Sequence, residues 1–247
     1  EDEFFKLNPN INGTHYILSA IKEFSPNTKF YFAASSELFG NCQTSPQNEE
    51  TKFNPRSAYG VSKVAGFYLT KNYREAYNIH ACSGILYNHE SPRRNVNFVS
   101  RKITKNLSLI VKGKKKKITL GNINSKRDWG HAKDYVFAMW KMMQKKTPRD
   151  YVIATGKQYS VKEFTNLVLK ELKIKFKWKG KGINSKCFDA NEKCIIECDK
   201  EYYRPLEVDT LLGDAKKARK ELKWNPKINI KELIKDMINE ETNYLDN

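Results

Sequence analysis

Apolar residues at Ile11, Ile17, Leu18 and Ile21 recur at the spacing of one helix face and predict a helix over 10–24. The run KFYFAA (29–34) that follows is short, apolar and aromatic, as a strand buried on both faces should be. A second helix is expected from Ser57 to Tyr77, with Ser57 as its N-cap after Pro55. IHACSGIL (79–86) predicts another buried strand. Beyond it the pattern gives a helix near 96–112, a strand at Lys117–Leu120, a helix from Ala132 to Gln144 and a strand at Tyr151–Ala154. Helices and strands alternating at this spacing imply an α/β fold, with a mainly parallel sheet covered on both faces.

After Gly156 the texture changes. A helix near 160–172 leads into KIKFKWKGKGINSKCFDANEKCIIECDK, a polar stretch punctuated by Gly and Asn, and helices near 214–222 and 230–244 close the chain. The expected division is therefore a sheet domain over 1–156, with interleaved lobe segments, and a smaller α+β lobe over 157–247.

Composition narrows the function classes. Glycine (12) and proline (8) are few while aromatics reach 12%, which excludes collagen-like and simple disordered chains. No apolar run is long enough to span a bilayer, and the acidic opening EDEFFKLNPN is unlike a signal peptide, so a soluble, cytoplasmic protein is expected. Five scattered cysteines fit reduced thiols. The C-x6-C-x3-C spacing of Cys187, Cys194 and Cys198 lacks the close pairs of a zinc site, and His15 and His80 have no partner spacing, so no metal is expected. The net charge of +17 is spread along the chain, and its one dense run, KGKKKK, has no interleaved aromatics, which reads as a solvated surface rather than a nucleic-acid platform.

Chemistry concentrates in two segments. In SAYGVSKVAG, Tyr59 and Lys63 stand four residues apart, so a helix places both on one face. An ammonium beside a phenol favours the phenolate, which can take a proton from an alcohol whose carbon then gives up hydride. Upstream, AASSELFG ends a strand with Ser35, Ser36 and Glu37, at the position where open α/β sheets bind ligands. Each segment also has a plain reading: a surface Tyr/Lys pair, a capped turn and a solvated loop acid. His131 reads as a packing or capping residue before the next helix, and Trp129 and Trp140 as core or lobe packing.

Taken together, YFAASSELFG (31–40), NPRSAYGVSK (54–63), NYREAYNIHACSGILYNHESPRR (72–94), LGNINSKRDWGHAKDYVFAMW (120–140), YVIATG (151–156) and YYRPLEVD (202–209) resemble the GDP-mannose 4,6-dehydratase family of the extended short-chain dehydrogenases/reductases. The resemblance implies a Rossmann-like fold, NADP as cofactor, GDP-mannose as substrate and a dimer or tetramer. It makes Tyr59 the base toward the sugar O4, aided by Lys63, which also holds the nicotinamide ribose. Ser35 stands where the family usually has Thr, and Glu37 where it has a second acid/base. His89 and Arg94 match cofactor-contacting positions, and Ser36 and Asn88 substrate-contacting ones. Arg127, Arg204 and Glu207 match the set that grips the GDP part, for which the guanidinium fork is suited.

One expected feature is missing. No G-x-x-G-x-x-G follows a strand, and by comparison with the family the first four strands of the nucleotide domain precede Glu1, so a fragment or truncated reading frame with little activity of its own is expected. Three other functions remain open. A nucleotide-sugar epimerase or reductase would lack the paired Glu37 and YYRPLEVD. A catalytically silent assembly partner would retain the letters without turnover. A basic nucleic-acid binder would show steep salt dependence.

Overall fold

The computed structural model describes residues 3–203, 208 and 210–246. In chain order its elements are α1 (Glu3–Phe24), β1 (Phe30–Ser35), α2 (Ala58–Tyr77), β2 (Ala81–Leu86), β3 (Asn88–Glu90), α3 (Val99–Val111), β4 (Ile118–Leu120), β5 (Lys126–His131) and α4 (Ala132–Met143). Then follow β6 (Tyr151–Ile153), β7 (Gln158–Ser160), α5 (Val161–Glu171), β8 (Phe176–Lys179), β9 (Lys186–Asp189), β10 (Cys194–Cys198), α6 (Lys216–Leu222) and α7 (Ile230–Asp246). The chain forms two compact units. One comprises 1–89, 133–157 and 211–227, the other 90–132, 158–210 and 228–247.

In the first unit β1, β2 and β6 form a parallel sheet in that spatial order. All six residues of β2 are buried, which explains why it reads as a continuous apolar run instead of alternating. The α2 helix begins where the Ser57 hydroxyl accepts the Gly60 amide at 3.0 Å, and it ends at Asn78, whose φ of 53° is left-handed. Against it, α1 buries Leu18 and Ile21 in a cluster with Tyr73, Ile79 and Ala81. Gly66 faces the Phe32 ring so closely that a Cβ would collide with it, so α2 can lie on β1 only because this position has no side chain.

The second unit holds a four-stranded sheet ordered β4-β10-β9-β8, together with the antiparallel pair β5/β7. Its core gathers Ile103 and Leu107 of α3, Trp129 of β5, Phe164 and Val168 of α5 and Ile234 of α7. A full capping box opens α5, with the Ser160 and Glu163 side chains each binding the other's backbone amide. Trp129 packs on Phe164 with ring centroids 4.8 Å apart, as a core residue should. Trp140 departs from expectation. It is 56% exposed on α4, stacked on Phe137 and packed into no core, because three positions along a helix share a face and that face points outward.

Among the described residues no helix is long and apolar enough to cross a membrane, and no group of three or more His, Cys, Asp or Glu is arranged to hold a metal ion. All five cysteines are free. Burial pushes the Cys82 and Cys187 thiols up to about 12, so neither is a nucleophile at neutral pH.

Candidate active site

The carboxyl end of β1 turns directly into a short 3-10 helix, Ser36–Leu38. The Ser35 hydroxyl caps that turn by accepting the Glu37 amide at 3.2 Å, which satisfies a backbone donor and fixes the direction of the hydroxyl. Ser36 is buried and Glu37 half-buried. Backbone bonds from Asn54 to Leu38 and from Asn41 to Asn54 then bring the approach to α2 back alongside the turn.

Tyr59 and Lys63 occupy the first turns of α2, the helix end that meets this turn. Gly60 makes the approach possible: a Cβ there would stand 2.9 Å from the Glu37 carbonyl oxygen and 3.0 Å from the Pro55 side chain. Lys63 Nζ lies 5.5 Å from the centre of the Tyr59 ring and 5.2 Å from that of Phe32, between two aromatic faces. No carboxylate pairs with it among the described residues. Burial alone therefore lowers its pKa below the ordinary lysine value. Tyr59 is 38% exposed.

The neighbouring parallel strand contributes the next residues. Ser35 sits opposite Leu86 in the register, and the chain runs on from there through Tyr87 to Asn88 and His89. His89 Nδ1 donates to the Tyr87 carbonyl at 2.9 Å, and its ring stacks on Tyr135 at 5.1 Å with an interplanar angle of 19°. A carbonyl can only accept, so Nδ1 carries a proton, and this bond sets the orientation of the ring. Asn88 opens β3, half-buried. Ser35, Ser36, Glu37, Tyr59, Lys63, Asn88 and His89 thus all belong to the first unit, at or just past the carboxyl ends of β1 and β2 or on the helix between them.

Arg94 and Arg127 belong to the second unit. Arg94 Nε pairs with Glu90 at 3.1 Å, and its guanidinium lies 3.6 Å over the Phe98 ring. The Glu90 carboxylate, 1% exposed, also accepts the Ser100 hydroxyl at 2.6 Å. Arg127 donates to the carbonyls of Lys126 at 2.9 Å and Val208 at 2.7 Å, tying β5 to the segment just past YYRPLE. Arg204 and Glu207 lie outside the described residues. His131, at the end of β5, is buried, with Nε2 3.0 Å from Asp236. The sequence reading missed three supporting residues. Phe32 backs Lys63, Gly60 admits the Glu37 turn and Tyr135 backs His89. Only the glycine had a local signal, its place directly after Tyr59.

Residues 4–237 match the model of the family described as GDP-mannose 4,6 dehydratase. The chain belongs to that family. A Drosophila melanogaster GDP-mannose 4,6 dehydratase is 49% identical over 229 residues, covering 92% of this chain and 58% of the fly protein. The Homo sapiens GDP-mannose 4,6 dehydratase is 46% identical, with 92% of this chain and 62% of the human protein covered. The chain thus spans about three fifths of the length of these relatives. Among solved structures, RMD from Pseudomonas aeruginosa complexed with NADPH superposes with a TM-score of 0.82 at 19% identity, covering 98% of this chain and 76% of that one. The dTDP-glucose 4,6-dehydratase of Bacillus anthracis in complex with NAD gives 0.81 at 20% identity, covering 100% and 71%. At those identities the likeness concerns the fold, a Rossmann-like sheet flanked by helices.

Proposed function

We propose that this chain carries the reacting groups of a GDP-mannose 4,6-dehydratase, a hydro-lyase that converts GDP-mannose to GDP-4-keto-6-deoxymannose with NADP. One observation carries the reading: the turn bearing Ser35 and Glu37 and the helix bearing Tyr59 and Lys63 are pressed together at the carboxyl end of a parallel sheet, with Gly60 as the point of contact. Membership of the family and the identity of its longer members support the substrate.

The residues present fit the nicotinamide-ribose end of NADP. Lys63 is a half-buried ammonium with no carboxylate partner among the described residues, a donor suited to ribose hydroxyls, and the His89 ring is held by its Nδ1 bond to the Tyr87 carbonyl. When bound, NADP would accept hydride from C4 of the sugar and return it to C6. The rest falls to the chain. Tyr59 removes the O4 proton while the ammonium of Lys63 stabilises the phenolate, and the Ser35 hydroxyl donates toward O4. Oxidation at C4 makes the C5 proton acidic; Glu37 takes it and delivers a proton to the departing C6 hydroxyl, which leaves as water. Tyr59, which holds the proton taken from O4, then protonates C5 as C6 is reduced, so Tyr59 and Glu37 both end the cycle in the protonation states in which they began.

Arg127, with Arg204 and Glu207, grips the GDP part, and Ser36 and Asn88 contact the sugar. Arg94 serves the cofactor side. Residues 157–247 form most of the substrate lobe. We assign the working state to a homo-oligomer in a reducing cytoplasm, which the five free cysteines favour. The test is direct. Protein carrying this chain, given GDP-mannose and NADP, is expected to yield a sugar nucleotide lighter by one water. The Tyr59→Phe form should not, and turnover that survives this change overturns the reading.

A further inference from the structure

Apart from the residues assigned above, the first unit contains a cavity of about 880 Å³. One wall is the flank of α2, another the loop 48–53, and the third is built from 148–150 and the start of α6. It shares no residue with the candidate active site. We propose that this cavity is a second ligand site, for an organic phosphate that carries a planar ring, of which a nucleoside monophosphate is the simplest kind.

The ring half of the argument is the α2 side. Phe53, Phe67 and Tyr68 form a three-ring cluster, with centroids 5.1 Å apart for Phe53–Phe67, 5.6 Å for Phe67–Tyr68 and 5.9 Å for Phe53–Tyr68. Phe67 is buried, but Tyr68 remains 55% exposed, a braced aromatic face without a cover. Such a face binds planar rings whatever their hydrogen-bonding edge.

The phosphate half comes from a count of charges. Lys52, Lys71, Arg74, Arg149, Lys216 and Lys217 line the cavity against Glu49, Glu50, Asp150 and Asp214. Three of the cations are matched: Arg74 grips Asp150 through two bonds at 2.9 and 2.7 Å, Lys216 sits 3.1 Å from Asp214, and Arg149 lies 3.3 Å from Glu221, outside the lining. Lys217 Nζ donates to the carbonyl of Asp150 at 2.9 Å, and a carbonyl leaves its charge whole. Lys71 has only a long 3.9 Å approach to Glu75, and Lys52 has no ion pair among the described residues. On the acidic side, the Glu49 carboxylate accepts the Val152 amide at 2.8 Å, which turns it toward β6. Lys52, Lys71 and Lys217 thus remain against Glu49 and Glu50, a lining with an excess of one cation. The volume falls in the range of small-molecule sites, about 300–1,000 Å³.

The test is calorimetric titration of the full chain with adenosine 5′-monophosphate, ribose 5-phosphate and inorganic phosphate. We expect the ring-bearing probe to bind at least about fivefold more tightly than ribose 5-phosphate, the low end of what an aromatic–base stack contributes. Tyr68→Ala and the double reversal Lys71→Glu/Lys217→Glu should each weaken it by about fivefold or more, whereas Lys63→Met and Arg127→Ala should leave it unchanged. Tyr68 and Lys71 are exposed whereas Lys217 is tied to the Asp150 carbonyl, so circular dichroism checks the fold of both variants, and the single change Lys71→Glu keeps the charge arm readable should the double variant unfold. Equal affinity for all three probes, no binding of the ring-bearing probe, or a loss caused by Arg127→Ala but not by the cavity variants would overturn the proposal. The last outcome would place the nucleotide in the candidate active site, whose assignment stands or falls separately.

Discussion

Lys63 is the residue on which the proposed chemistry turns, since it is half-buried, unmatched by any described carboxylate and flanked by the rings of Tyr59 and Phe32. Its spacing from Tyr59 was legible because four residues on a helix bring side chains together locally. Phe32 was not, because a strand-to-helix contact leaves no trace in the spacing of letters. Two outcomes follow for the reaction. Tyr59→Phe should abolish water loss from GDP-mannose, and Glu37→Gln should slow it by about 10²–10⁴-fold, the usual weight of a positioned acid or base, both read by mass spectrometry of the product. A third concerns stability. A lysine whose folded pKa is depressed is protonated more readily in the unfolded chain. The protein should therefore gain stability as pH rises from the lowered value toward the ordinary lysine pKa of about 10.4. Lys63→Met should remove that gain, which paired denaturation curves at neutral and alkaline pH would reveal. Identical slopes for the two proteins would contradict the burial argument.

At the level of elements, α2 is the component that turns two motifs into one site. It can do so because glycines stand where the chain must pass closest, Gly60 against the Glu37 turn and Gly66 against Phe32. Gly66→Ala would force a methyl into the Phe32 ring and should cost about 1–3 kcal/mol by overpacking, despite the better helix propensity of alanine. A lowered midpoint in a urea titration measures it; an unchanged or raised midpoint would mean that the ring moves freely. Most helices were readable from apolar period and caps, and the buried strands β1 and β2 from their apolar runs. The strands of the second unit were harder. In β8, Phe176 and Trp178 alternate with lysines, a period-two signal that a lysine-rich chain hides in its background. The β5 strand reads KRDWGH, whose charged letters suggest a loop although Asp128 is fully buried. The α1 helix begins at Glu3, earlier than its apolar pattern, and carries Pro9 within it.

For the whole molecule, the two compact units draw on interleaved stretches of chain, so function cannot be divided by one cut in the sequence. Family membership was legible from a few dense motifs, whereas the grip on the cofactor was not, because no Gly-rich turn follows a strand in these 247 residues. A backbone cradle is what holds a pyrophosphate closely. The isolated chain is therefore expected to bind NADP weakly, without saturation at micromolar cofactor in a fluorescence titration, and to bind it tightly once a segment with that turn is supplied. Micromolar affinity without any addition would show that Lys63, His89 and Arg94 suffice.

Among the described residues β1 lies at the outer side of its sheet, which has a practical result for anyone who purifies these 247 residues by themselves. A row of amides and carbonyls on an apolar strand offers itself to any passing extended segment, so concentrated samples should thicken into β-rich fibrils that bind thioflavin. Placing a cation on the solvent face of that strand, as in Ala33→Lys, should delay their appearance several-fold by charge repulsion.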